Sequence, residues 1–146
     1  MQTFLPYQGF AASAITLDFR RLGKQRVEVK QILNALRNGG GWARHPAVLM
    51  WAGFEELLSH YGNIIIQTWI DRGYTNNMPF FEVAGPVEEA PMPWWLGLPE
   101  FHDAHKGMLY KKDPEHYASF CVYSHIEDYW WPTRNLWRQH ELADLT

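Results

Sequence analysis

LDFRRLGKQRVEVKQILNALRNGGGWARH, residues 17–45, joins a helical repeat to a glycine turn. Its apolar residues fall within an arc of about 100° at the helical repeat, and they are Leu22, Val29, Ile32, Leu33 and Leu36. This stripe predicts an amphipathic helix over residues 19–37 with one buried face. The glycines at 39–41 end the helix, because glycine tolerates the left-handed cap.

The same stretch carries most of the positive charge of the chain. Residues 1–44 hold seven Lys and Arg against two acids, and residues 45–146 hold six against fourteen, so a segment of +5 precedes a body of −8. The cations outside the apolar stripe are Arg20, Arg21, Lys24, Arg26, Lys30 and Arg37. Local charge sets the local field, so the net charge of −3 does not exclude a basic groove. The pattern indicates a phosphate site, and a solvated helix face with a Lys24–Glu28 pair is the simpler alternative.

The composition is that of a globular protein. The 146 residues, 47% of them hydrophobic, predict a single domain over residues 1–146 that buries a core. The single cysteine, Cys121, excludes an internal disulfide and agrees with a reducing compartment. No apolar run approaches 18 residues and the N-terminus lacks a signal-peptide pattern, so we expect a cytoplasmic protein without a membrane partner.

The rest of the sequence predicts further helices and one long loop. We expect helices over residues 10–17, 46–60, 63–72 and 99–111, with Gly62 bending or separating the second and third, and a short helix starting at Asp113. Five prolines within residues 75–99 predict a long surface loop anchored by Phe80, Phe81 and the Trp94–Trp95 pair. No strand pair is apparent. The predicted fold is all-α, a compact domain of four to five helices with a long loop rich in proline and aromatic residues.

Three features are candidate binding or catalytic groups, each with a structural alternative. Arg44 and His45 follow the glycines and precede a helix start at Pro46, where free N–H groups favour an anion; a plain connecting turn is the alternative. Glu28 lies among cations that favour its charged form, and it serves either as a general base or in a structural ion pair. His105, with Lys106, is a candidate phosphate contact, although capping and surface pairing explain it better.

Other side chains favour structural roles or leave the choice open. His102 and His105 share a helix face, but no metal-binding motif accompanies them, so we predict no metal and no cofactor. The pairs Trp94–Trp95 and Trp130–Trp131 can stack on bases, and we expect at least two of these four rings to anchor the core.

RRLGKQRVE, residues 20–28, resembles a motif of a known family. Supporting segments are MQTFLPY at residues 1–7, HPAV at 45–48, Met50–Trp51, Phe101–His102, His105–Lys106, KDPEHY at 112–117, Tyr129 and Trp131–Pro132. The chain is similar to the bacterial and actinophage branch of the pyrimidine-dimer DNA glycosylase group, related to phage endonuclease V. The resemblance spans about residues 1–132, leaving residues 133–146 as a tail.

The resemblance implies an all-helical DNA-repair enzyme without a cofactor. In this family the α-amine of the processed N-terminus attacks the sugar, a role suited to amines that are partly neutral near pH 8, and a glutamate in the first long helix assists. Two positions depart from that pattern. Gln2 is too large for the usual removal of the initiator, so the free amine is expected on Met1 rather than on Thr3. Arg21 aligns with the glutamate, which leaves Glu28 or Asp18 as the carboxylate.

These observations predict a DNA-repair-like N-glycosylase and abasic-site lyase that acts on a damaged or modified nucleotide. Met1 is the predicted nucleophile with Lys24 as a substitute amine, and Glu28 stabilises the intermediate. The predicted phosphate ligands are Arg20, Arg21, Arg26, Lys30, Arg44, His45 and His105. Two alternatives remain open: a non-catalytic protein that binds or sequesters a small or cyclic nucleotide, and a nucleotide N-glycosidase. The partner is therefore DNA or a small nucleotide.

Overall fold

The structure, a computed structural model, describes residues 1–132. This part of the chain forms five α-helices and two 3-10 helices and contains no strand, which confirms the all-α prediction. The α-helices are α1 (Phe10–Thr16), α2 (Phe19–Asn38), α3 (Pro46–Leu49), α4 (Glu55–Asp71) and α5 (Pro99–Lys112). The 3-10 helices span Val87–Glu89 and Ala118–Tyr123. The predicted tail, residues 133–146, lies outside the described residues. Over residues 1–132 no helix is long and apolar enough to cross a membrane.

The long basic helix α2 lies against the centre of the molecule. Its predicted stripe is buried, since Leu22, Val29 and Ile32 have no exposed surface. These side chains pack chiefly toward α4, which in turn contacts α1, while α3 packs on α2 and α5 packs on the second 3-10 helix. Burying each large apolar side chain contributes about 1.5–3 kcal/mol, so the stripe fixes the position of α2 and thereby of its polar edge.

The predicted division of residues 46–72 at Gly62 is wrong. The first helix of this region is the single turn α3, and the chain reverses at Gly53, whose φ is +86°. Helix α4 then runs unbroken through Gly62. Glycine is needed there for close packing rather than for a bend, because a Cβ at Gly62 would lie 2.5 Å from Phe81 Cε2 and 2.8 Å from Val29 Cγ1.

Gly62→Ala is expected to destabilise the protein by about 1–2 kcal/mol. The methyl group forces Val29, which is stiff at χ1, and Phe81 to shift, and this overpacking outweighs the better helix propensity of alanine. Urea unfolding measures the change. Gly41→Ala is the matched control, since a Cβ at Gly41 meets no atom within 4 Å. Equal midpoints for the two variants would contradict this account of Gly62.

The region after α4 largely follows the prediction. Residues 75–98 form the expected long loop, interrupted by one 3-10 turn, and Trp95 anchors it in a T-shaped contact with Trp51 at 5.0 Å. Phe80 was expected to be an anchor but is 49% exposed. Asp113 starts a turn and then a 3-10 helix instead of the expected α-helix. Trp95 and Trp131 are the two buried rings of the four paired tryptophans, as predicted.

Candidate functional site

The first residues of the chain form an extended segment buried between the helices. Gln2 to Pro6 are all buried, although the segment pairs with no strand. Its backbone groups are therefore satisfied by side chains. Leu5 N–H donates to His105 Nδ1 at 2.9 Å, Leu5 C=O accepts from His102 Nδ1 at 2.8 Å, and Phe4 C=O accepts from the Tyr61 hydroxyl at 2.8 Å. Buried backbone groups require such partners, so these bonds fix the path of the N-terminus across the bundle.

Gln25 joins this segment to α2. Its side chain is completely buried and uses all four of its hydrogen-bonding positions. Gln25 Nε2 donates to Gln2 C=O at 2.7 Å and to Glu28 Oε2 at 2.6 Å. Gln25 Oε1 accepts from Phe4 N–H at 2.9 Å and lies 2.8 Å from the Tyr61 hydroxyl oxygen, whose single proton it shares with Phe4 C=O. One amide therefore sets the position of the N-terminal backbone relative to the Glu28 carboxylate.

The two histidines of α5 hold the N-terminal segment through hydrogen bonds to Leu5. Burial, together with the neighbouring His102, lowers the pKa of His105 to about 3, and burial also lowers the pKa of His102. Both rings are therefore neutral near pH 7, and His105 has no exposed surface. The prediction that His105 contacts phosphate does not suit a buried, uncharged ring that accepts a hydrogen bond from Leu5.

These neutral histidines make stability depend on pH. A group whose pKa is lower in the folded state binds its proton mainly on unfolding. Its contribution to the free energy of unfolding is therefore complete above the pKa of the unfolded state, about 6.5 for histidine, and is lost as pH falls toward the pKa of the folded state. For His105 that window runs from about pH 6.5 to about pH 3.

We expect the unfolding free energy to fall within this window by about 1.4 kcal/mol per pH unit from His105 alone. Urea titrations at several pH values measure the slope. His105→Gln keeps an acceptor near Leu5 but cannot titrate, so its slope is smaller, whereas His125→Gln at an exposed position leaves the slope unchanged. Identical slopes for His105→Gln and the wild type would refute the assignment.

A cavity of about 290 Å³ opens beside the N-terminus. Three elements and one later segment form it: the N-terminal segment, the first turns of α2, the end of α5 and the chain near residue 129. The lining residues are Met1, Gln2, Phe4, Arg20, Arg21, Lys24, Gln25, Glu28, Lys112 and Tyr129. Four of these side chains are cationic and one is a carboxylate, so the cavity favours an anionic ligand.

Glu28 is the carboxylate of this cavity and is only 5% exposed. Burial raises the pKa of Glu28, and the opposing influences are the positive charge of the Met1 amine, that of Lys24 and the Gln2 N–H donor. Lys24 Nζ lies 3.8 Å from Glu28 Oε1. A carboxylate with a raised pKa beside an amine is suited to accept and return protons. The helical pattern placed Glu28 among the cations but did not indicate its burial.

Asp18, the other candidate for the carboxylate role, pairs at the start of α2 with Arg21, the residue that aligns with the family's glutamate. Arg21 donates to Asp18 Oδ2 at 3.1 Å, and the Tyr117 hydroxyl donates to Asp18 Oδ1. Burial opposes ionisation of Asp18, but these two hydrogen bonds and the Arg21 charge bring its pKa below the usual value. Asp18 does not line the cavity, so Glu28 is the carboxylate available there.

The structure brings half of the predicted site residues together. Met1, Glu28, Lys24, Arg20 and Arg21 line the cavity. The other five lie elsewhere. Arg26 stacks over Trp69 at 4.4 Å and donates to Asn76, and Lys30 lines a separate groove with Arg37. Arg44 is exposed before α3, the Nδ1 of His45 accepts from Ala47 N–H as the cap of α3, and His105 is buried.

Five residues of the cavity were not predicted as site residues: Gln2, Phe4, Gln25, Lys112 and Tyr129. Gln25 had a readable signal, because it falls within the apolar stripe of α2, where a polar residue must have specific partners. Lys112 and Tyr129 belong to segments that carry the family resemblance, but no local pattern relates them to α2. Tyr129 lies in the cavity wall, where burial raises its pKa to about 12, so its ring presents a neutral hydroxyl.

Within residues 1–132, no group of three or more His, Cys, Asp or Glu side chains is arranged to hold a metal ion. The lining of the cavity itself provides an amine, a carboxylate and several cations. Such a set can form and stabilise an imine, since the amine is a nucleophile and the carboxylate offsets the positive charge that develops.

The fold and cavity define a class of protein: an all-helical protein that holds its own N-terminus against a carboxylate in a basic pocket. A sequence model of the pyrimidine dimer DNA glycosylase family matches residues 1–82, more than half of the 146 residues. The chain belongs to this family. The matched region contains the N-terminal segment and α1 to α4, whereas Lys112 and Tyr129 lie beyond it. Comparison with curated proteins and comparison with solved structures each gave no significant match.

Proposed function

We propose that the protein is a DNA N-glycosylase and abasic-site lyase that uses the Met1 amine as its nucleophile. The observation that carries this proposal is the shared cavity of the Met1 amine and the buried Glu28 carboxylate, walled by cations that suit the phosphates of DNA. Membership of the pyrimidine dimer DNA glycosylase family supports DNA as the substrate. A damaged or modified nucleotide extruded from the duplex would occupy the cavity.

The proposed reaction has two stages. In the first, the neutral amine attacks C1′ of the deoxyribose, the N–C1′ bond forms, and the glycosidic bond breaks with the base leaving as an anion that takes up a proton. The sugar ring then opens to an imine joined to Met1. In the second stage a base removes a proton from C2′ and the 3′-phosphate leaves, which breaks the strand. Water finally hydrolyses the imine and frees the amine.

The residues of the cavity have separate roles in this scheme. Glu28 accepts the proton that the amine releases and stabilises the positively charged imine. Arg20, Arg21 and Lys112 contact phosphates on either side of the reacting nucleotide. Lys24, 73% exposed at its side chain, is the substitute amine, and its position near Glu28 gives it the same carboxylate partner.

Borohydride reduction in the presence of duplex DNA with an abasic site tests this proposal. Borohydride converts the imine into a stable bond, so we expect a covalent protein–DNA adduct, together with strand cleavage when borohydride is omitted. Intact-mass measurement first establishes that the chain begins at Met1, and peptide mapping of the adduct then identifies the linked amine. Lys24→Gln is the control, because it retains the adduct when Met1 is the nucleophile.

The absence of both adduct and cleavage would overturn the proposed chemistry. An adduct on Lys24 instead of Met1 would reassign the nucleophile. Stoichiometric binding of a mononucleotide recovered unchanged, with no reaction on DNA, would favour the alternative that the protein sequesters a small nucleotide. Release of a free base from a mononucleotide would favour the nucleotide N-glycosidase.

A further inference from the structure

The glycine turn after α2 carries an exposed tryptophan that neither the fold nor the cavity uses. Gly39 and Gly40 have φ values of +76° and +111°, and a Cβ added at either position would meet no atom within 4 Å. The turn therefore stands away from the body of the protein. Trp42 at its tip is 56% exposed, which is unusual for the residue with the largest apolar surface.

Trp42 is supported by the ring of His45. Its ring makes a T-shaped contact with His45 at 5.7 Å, and the His45 ring is fixed because its Nδ1 accepts from Ala47 N–H at 3.0 Å. A T-shaped contact leaves the indole with open surface, in agreement with its exposure. Such a supported and exposed indole can receive a flat ligand without rearrangement of the chain.

A row of aromatic rings connects this position to the cavity. His45 contacts Trp131 at 6.0 Å, and Trp131 contacts Tyr129, which lines the cavity, at 5.4 Å. Through these three successive ring contacts, the separation of Trp42 and Tyr129 is at most the length of about five nucleotides of a DNA strand, at about 3.4 Å per nucleotide. A strand with one nucleotide in the cavity is therefore long enough for a nearby base to reach Trp42.

The charges around Trp42 suit a nucleic acid strand. Arg37 in the last turn of α2 and Arg44 after the turn are both exposed, and neither forms an ion pair within residues 1–132. Two exposed cations therefore flank the exposed ring in the sequence, and proteins bind single-stranded or locally opened nucleic acid by stacking aromatic rings on bases while nearby cations contact phosphates.

We propose that Trp42 is a stacking platform for a nucleobase that lies a few nucleotides from the one in the cavity, in the strand that the enzyme acts on. This proposal rests on the proposed function for the identity of the ligand. Opening of the duplex around the extruded nucleotide exposes the faces of nearby bases, and Trp42 stacks on one of them. Because every base presents a π-face, the platform is tolerant of sequence.

The test uses duplexes that contain tetrahydrofuran, an abasic analogue that cannot form an imine, with 2-aminopurine at each of the five positions on either side of it. We expect the wild-type protein to quench the fluorescence of 2-aminopurine at one or two adjacent positions. Trp42→Ala abolishes that quenching and weakens binding by about tenfold, in the range reported for removal of a base–aromatic stack. Trp42→Phe retains most of both effects.

Two further variants isolate stacking from other roles of the side chain. Trp42→Leu keeps an apolar side chain on His45 but has no planar face, so it behaves as Trp42→Ala does. Met92→Ala is the control for loss of exposed apolar surface, because Met92 is 58% exposed in the loop of residues 75–98 and lines a different groove. It leaves affinity and quenching unchanged.

The platform would be overturned if Trp42→Ala kept wild-type affinity and quenching. It would also be overturned if Trp42→Ala bound more weakly but the wild-type protein quenched 2-aminopurine at no position, or if the wild-type protein did not bind these duplexes at all. The result is separable from that of the borohydride experiment. If the adduct forms but substitution of Trp42 changes neither affinity nor quenching, only the platform is refuted. If quenching depends on Trp42 but no adduct forms, only the proposed chemistry is refuted.

Discussion

Glu28→Gln is expected to lower the rate of strand cleavage at an abasic site by at least about 100-fold. The amide has nearly the same shape as the carboxylate and can still accept from Gln25 Nε2, which lies 2.6 Å away, so the cavity keeps its form. It cannot accept a proton from the amine or offset the charge of the imine, and loss of such a group typically costs about 10²–10⁴-fold in rate. Single-turnover cleavage of labelled abasic duplex measures the effect.

The same substitution is expected to raise the thermal midpoint by a few degrees. Because burial raises the pKa of Glu28 in the folded state, its ionisation near pH 7 opposes folding, and stability grows as pH falls from the folded pKa toward the unfolded one. Glu28→Gln removes that opposition, so the midpoint rises, and stability changes of this kind move the midpoint of a domain of this size by a few degrees. An inactive variant with higher stability separates a catalytic role from a structural one.

Glu115→Gln, at an exposed position, is the matched control and leaves both rate and midpoint unchanged. Cleavage by Glu28→Gln within about tenfold of the wild-type rate would exclude the carboxylate from the chemistry, since general acid–base groups contribute more than that. A lower midpoint together with inactivity would assign Glu28 to the structural ion pair that its spacing from Lys24 also predicts.

Local patterns in the sequence predicted the helices well where one face had to be apolar. Helix α2 was predicted as residues 19–37 and spans Phe19–Asn38, because its stripe and its terminal glycine are both local signals. The boundary between α3 and α4 was missed, since Gly53 and Gly62 look alike in sequence. One reverses the chain with a positive φ, and the other lies where Phe81, from a distant loop, approaches α4. Only the packed structure distinguishes them.

The site could be predicted only in part for a related reason. Charge alone located the basic edge of α2, and the resemblance directed attention to Met1 and Glu28. Neither signal describes the path of the N-terminal segment, which depends on side chains from α2, α4 and α5, or the arrival of Lys112 at the same cavity. Arg26 and His105 are residue types that bind phosphate, but in the structure Arg26 stacks on the Trp69 ring and His105 accepts from the buried Leu5 N–H.

Gln25→Leu is expected to destabilise the protein by about 3–5 kcal/mol and to abolish imine trapping. Leucine is similar in size, but it leaves the Phe4 N–H, the Gln2 C=O and the Glu28 carboxylate without their Gln25 partners. Each buried polar group left without a partner costs about 1–3 kcal/mol, partly offset by the apolar side chain. Urea unfolding measures the loss, and Gln31→Leu on the exposed face of the same helix is the control.

The activity of a milder variant distinguishes positioning from simple stability. Gln25→Asn keeps the amide but is one methylene shorter, so it cannot reach both the N-terminal backbone and Glu28. At a temperature where this variant remains folded, we expect trapping of abasic DNA to fall by at least tenfold, because a shift of about 1 Å between reacting groups costs up to about 100-fold. Its affinity for uncleavable abasic duplex stays near the wild-type value, since the cations of the cavity are untouched. Full trapping in folded Gln25→Asn would show that the amide stabilises the fold without aligning the Met1 amine and Glu28.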